Sequence, residues 1–134
     1  IVIGVVLCIS KKYRRGGMQM LSAELLSFIV GNLIIKNMVD RLRPCQIDET
    51  VSLIVKIPFD SSFPSGHTLN GITAAVTLMF IDKRMGIPAI VLAVLIAFSR
   101  MYNFMHFPTD ILAGAVLGVV SAVFVNFLFK RAGN

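Results

Sequence analysis

The chain has 134 residues, of which 56% are hydrophobic and 15% charged, and its mean hydropathy is +0.81. Water-soluble domains carry about 25% charged residues, so this balance excludes an ordinary soluble globule. A net charge of +6 could point to nucleic acid in a soluble protein. Here the basic residues sit in short clusters between apolar runs, which membrane topology explains without any nucleic-acid partner.

Residues 1–10 open on Ile-Val-Ile-Gly-Val-Val with neither an initiator Met nor a basic leader. They are expected to be the tail of an apolar span rather than a signal peptide. Lys11, Lys12, Arg14 and Arg15 follow. Residues 18–39 form the next apolar run, close to the roughly 20 residues that a helix needs to cross a bilayer. Glu24 lies toward its basic end and is expected to pair with a cation there. Lys36 lies near the opposite end, with Asn32 one turn before it. Arg43 comes seven residues after Lys36, so the two cations share a face if the helix continues that far. On its own this pair reads as well as two cations snorkelling to the interface. Pro44 is expected to end the helix. In the loop at about 40–63, the apolar segment 51–59 suits a stretch that lies on the membrane and guides a lipid tail, or a structural lid.

The span at 64–81 opens with Phe63-Pro64-Ser65-Gly66-His67-Thr68. Pro64 or Ser65 suits a helix start. The unpaired N–H groups and positive dipole end of such a start suit a phosphate, and Gly66 lets an anion approach that backbone. The plainer alternative is a helix cap followed by an interfacial histidine. Lys83 and Arg84 then precede a run at 86–105 that ends in Ser99-Arg100 and leads to His106. Pro108 forces a break near Phe107, and the last run, 109–129, is closed by Lys130 and Arg131. Phe107-Pro108-Thr109 repeats the design of Phe63-Pro64-Ser65. Asp110 lies four residues after His106. A carboxylate there can accept the proton of one imidazole nitrogen and leave the other free as base or nucleophile. A surface histidine beside a capping Asp is the alternative.

These runs are too long and continuous for barrel strands, which predicts an all-α, polytopic transmembrane bundle. Four complete spans and part of a fifth are expected, in a single membrane-embedded domain over 1–134. The three basic clusters fall on one side, the expected cytoplasmic face. The loop at 40–63 and the break at 106–108 fall on the other. Cys8 and Cys45 lie near opposite faces and lack metal-ligand spacing, so no disulfide is expected. Both histidines sit at outer helix starts, with Lys36, Arg43 and Arg100 at the same depth. Cations, backbone donors and histidines gathered in one place are what phosphoryl transfer requires. Asp110 is the only acid within these clusters, so they offer no carboxylate set for a metal.

Lys36…Arg43-Pro44, then Pro64-Ser65-Gly66-His67, then Ser99-Arg100…His106…Asp110 together resemble the signature of the type 2 phosphatidic acid phosphatase and vanadium haloperoxidase superfamily. Every fixed position, the order and the spacings match, and the resemblance runs from about residue 18 to 129. It implies that His106 is a nucleophile forming a phosphohistidine, oriented by Asp110, and that His67 protonates the leaving group. Lys36, Arg43, Arg100 and the backbone amides of Ser65 and Gly66 would hold the phosphate, and no metal or other cofactor would be needed. Membrane members of the family typically have six spans, so the resemblance also implies that a first span and the start of a second are missing. The soluble, much larger haloperoxidase branch does not fit the spans. The lipid branch does, with a polyprenyl diphosphate such as undecaprenyl diphosphate as expected substrate, and phosphatidic acid or phosphatidylglycerol phosphate as close competitors. A non-catalytic membrane protein that binds lipid head groups is the reading from another class. It would need the cations but not His67, His106 and Asp110.

Overall fold

The computed structural model describes residues 1–48 and 60–133, and every regular element among them is helical. A short helix α1 (Val2–Ile9) leads through the basic loop into α2 (Arg14–Ser27). This helix continues without interruption as a π-helical stretch, Phe28–Ile35, and a last α-helical turn, α3 (Lys36–Val39). One further turn, α4 (Pro44–Ile47), precedes the long helices α5 (Gly66–Ile81), α6 (Lys83–Tyr102) and α7 (Pro108–Arg131). Among the described residues, three segments are by length and composition apolar enough to cross a membrane: Arg14–Ile47, Lys83–Tyr102 and Pro108–Arg131. Helix α5 has 16 residues and is about 24 Å long, which makes it a shorter apolar helix rather than a full crossing by the same measure. The apolar segment expected at 51–59 lies outside the described residues.

The packing is inverted relative to a soluble bundle. Large apolar side chains point outward, such as Phe98 at 61% and Leu112 at 66% exposed, while Ser27, Thr68, Thr73, Thr77 and Ser121 are buried. Lipid gives no hydrophobic drive between helices, so they associate through small residues and close backbone contact. Helix α5 is the hub, packed on α2, α6 and α7. Its contact with α7 runs over Gly114 and Gly118, one turn apart, where a side chain would stand 2.7 Å from the Ser65 carbonyl oxygen and 2.8 Å from that of Leu69. The buried hydroxyls of Thr73 and Thr77 donate to carbonyls one turn back on their own helix, each at 2.8 Å, and Thr73 Oγ1 also lies 3.5 Å from the Gly118 carbonyl oxygen on α7.

The two ends of the bundle differ. At one end Arg15 donates to the Phe129 carbonyl and Gly16 lies against Ile81, so the three basic clusters gather there. At the other, Ser65 N–H bonds the Asp110 carbonyl at 3.0 Å and Arg43 bonds the Met105 carbonyl at 2.9 Å. That second end carries the histidines.

Several helix limits differ from expectation. Helix α2 starts at Arg14 rather than 18, because the basic residues continue the turn. Helix α6 ends at Tyr102 rather than 105: Phe104 takes a left-handed conformation (φ 54°), and Met105 N–H returns to the Arg100 carbonyl. The helix carrying Lys36 ends at Val39, where Asp40 is left-handed (φ 39°), a conformation Asp tolerates. Lys36 and Arg43 therefore do not share a helix face. Arg43 returns to the site on an extended turn, as the N-terminal cap of α4.

Candidate active site

A cavity of about 700 Å³ opens among α2, the π-helical stretch, α5 and α6, and is lined by Lys36, Arg43, Gly66, His67, Arg100 and His106. The predicted histidines and all three predicted cations thus meet in one place. The same cavity is lined by the apolar Phe28, Gly71, Ala74 and Ile96, with Glu24 beside them. Glu24 was expected to pair with a basic residue at the far end. Among the described residues it takes part in no ion pair, and it faces the cavity instead.

His106 is held by the chain turn between α6 and α7. Its Nδ1 lies 2.8 Å from the Ser62 carbonyl oxygen. A carbonyl only accepts, so Nδ1 carries the proton and Nε2 presents a lone pair. Arg43 Nη1 donates to that Nε2 at 3.3 Å. Burial, followed by the Arg43 guanidinium, pushes the imidazole pKa down to about 4. Charging the ring there loses solvation and meets a like charge, so His106 is neutral near pH 7.

The expected proton acceptor is not the one used. Asp110 Oδ2 stands 3.7 Å from His106 Nδ1, beyond hydrogen-bonding reach, and the Ser62 carbonyl takes that role. Asp110 is fully buried and accepts from Ser62 Oγ at 2.5 Å, Phe107 N–H at 2.8 Å and Arg41 Nη1 at 2.8 Å. Its side chain caps α7 and ties the loop at Ser62 to that helix, which fixes the carbonyl that His106 uses. Arg41 also stacks on the Phe107 ring, 4.0 Å from its centroid.

Ser65 caps α5, and Gly66 is its first residue. The Ser65 amide was expected to face a phosphate, but it is taken by the Asp110 carbonyl. Gly66 lines the cavity, and a Cβ there would meet Asn32 Oδ1 at 2.9 Å. His67 is exposed to the cavity and makes no side-chain hydrogen bond among the described residues. Arg100 Nε is buried and has no hydrogen-bond partner among the described residues. An orphaned guanidinium donor is costly unless a ligand satisfies it.

Three contributors escaped the sequence reading: Ser62, Arg41 and Asp60. Asp60 lies three residues before Phe63 and is shared between two cations. Its Oδ1 accepts from Arg43 Nη2 at 2.7 Å, and its Oδ2 accepts from Lys36. Partial burial would raise the Asp60 pKa, but the hydrogen bonds from Lys36 and Arg43 prevail and hold it below the usual carboxylate range. The signal for it was available, since an acid beside an apolar segment must answer a cation somewhere.

A family model described as the PAP2 superfamily matches residues 16–133. The chain is 35% identical over 119 residues to an undecaprenyl-diphosphatase of Sulfolobus acidocaldarius, covering 88% of this chain and 57% of the relative. It is 30% identical over 85 residues to the undecaprenyl-diphosphatase BcrC of Bacillus subtilis, covering 63% and 42% respectively. The chain thus spans about half the length of these curated relatives. Among solved structures it resembles a transmembrane PAP2-type phosphatidylglycerolphosphate phosphatase from Bacillus subtilis, with a TM-score of 0.78 and 28% identity over 97% of this chain and 66% of that one.

Proposed function

Since the chain belongs to the PAP2 superfamily, we propose that it is an integral-membrane lipid phosphatase working through a phosphohistidine on His106. The observation that carries this reading is the convergence of both histidines, Lys36, Arg43 and Arg100, whose Nε has no partner among the described residues, on one cavity with an apolar wall. Such a cavity suits a phosphate joined to a lipid tail. His106 Nε2 attacks phosphorus, and the bond to the leaving oxygen breaks as that oxygen takes a proton from His67. Lys36, Arg43, Arg100 and the Gly66 backbone hold the phosphoryl oxygens as charge grows on them. Water then hydrolyses the N–P bond. Asp110 acts at one remove, through the Ser62 carbonyl and its own field.

The substrate is a polyprenyl diphosphate of the undecaprenyl type, a choice supported by likeness to two undecaprenyl-diphosphatases. Phosphatidylglycerol phosphate is the second reading, because of the structural likeness to a phosphatase named for that lipid. The chain is one membrane-embedded domain in the cell membrane, with α5 as one of its spans. The basic end faces the cytoplasm and the histidine end faces outward. Phosphate release from undecaprenyl diphosphate in detergent tests the activity. The unmodified protein turns over and His106→Ala does not; equal turnover in both would refute the nucleophile.

A further inference from the structure

Resting on the phosphatase reading, we infer that the Asp60 carboxylate is an internal competitor of the substrate phosphate, seated on Lys36 and Arg43 until an anion displaces it. Lys36 and Arg43 are 8% and 3% exposed, and buried cations require a counter-charge. Asp60 supplies it with both oxygens, one on each cation, while its own side chain stays 52% exposed. That is the contact pattern of two phosphoryl oxygens. The third cation, Arg100, lies on the same cavity with a buried Nε that has no hydrogen-bond partner among the described residues. A phosphate drawn to Arg100 and reaching Lys36 and Arg43 meets the carboxylate there, and like charges at that spacing repel. The exposed partner is the one able to leave. Asp60 thus keeps the cations fixed and solvated by charge between turnovers, and it weakens the hold on the small anion left after hydrolysis.

The test is Asp60→Asn, with the affinity for inorganic phosphate measured by titrating thermal unfolding in detergent, a readout independent of turnover. The expected result is a phosphate Kd about tenfold lower than that of the unmodified protein, the weight of one charge-assisted hydrogen bond. A lower melting temperature without anion, recovered on adding phosphate, accompanies it. A purely structural role would lower the melting temperature and leave Kd unchanged, which overturns the inference. A structure of the unmodified protein with inorganic phosphate decides the matter if the variant fails to fold: Asp60 is expected off both cations, and a carboxylate still bridging them beside bound phosphate overturns it. Unchanged Kd with lipid phosphate turnover intact sinks this inference alone. Absence of turnover on every lipid phosphate sinks the phosphatase reading and this inference with it.

Discussion

At the scale of residues, the site is a set of charges that an apolar chain keeps for a reason. Lys36, Arg43, His67, Arg100 and His106 were legible in the sequence because ionisable groups are costly between lipid-length runs and persist there mainly for function. Ser62 was not, because it acts through its carbonyl, which any residue possesses. Asp110 shows the limit of spacing: it was correctly expected near His106, but the helix cap and Arg41 claim its oxygens. Asp110→Asn turns one acceptor into a donor facing Ser62, Phe107 N–H or Arg41. It should cost about 2 kcal/mol of stability, lowered by the partial exposure of Arg41, and about a hundredfold in kcat. Undiminished turnover would remove Asp110 from the mechanism. The His106 pKa, about 4 in the folded protein against 6.5 in the unfolded chain, fixes a pH dependence. Between those values the unfolded chain binds more protons, so this contribution to stability is complete above pH 6.5 and declines toward pH 4. Melting temperatures in detergent should fall over that window, and the slope should flatten in His106→Gln.

At the scale of elements, helix existence and order were readable from run length, whereas the ways helices end were not. The break before α7 follows from Pro108. The stop at Val39 depends on Asp40 turning left-handed, which no periodicity announces, and the π-helical stretch Phe28–Ile35 is as apolar as an α-helix would be. Gly114 and Gly118 set the distance between α5 and α7, and hence between Ser65 and Asp110. Gly118→Leu should destabilise by about 1–3 kcal/mol through overpacking. Gly114→Val, whose side chain would press on the Ser65 carbonyl, should in addition lower kcat. Thermal melts and initial rates in detergent check both, and a Gly114→Val protein with normal kcat would show that the α5 cap tolerates displacement.

At the scale of the molecule, one end of the bundle carries eight basic residues in three clusters and the other carries the cavity with both histidines. In the proposed topology the first faces the cytoplasm. In a background lacking Cys8 and Cys45, a cysteine replacing Gly133 should resist a membrane-impermeant thiol reagent in intact cells, and one replacing Asp48 should react; the reverse pattern would invert the topology. The most direct measurement concerns the bond on which the chemistry turns. The protein is mixed with lipid phosphate, quenched in alkali so that an N–P bond survives, and its peptides are weighed. Phosphate is expected on the peptide containing His106 and absent in His106→Ala; phosphate on His67 instead, or full turnover with neither histidine ever modified, would contradict the phosphohistidine mechanism.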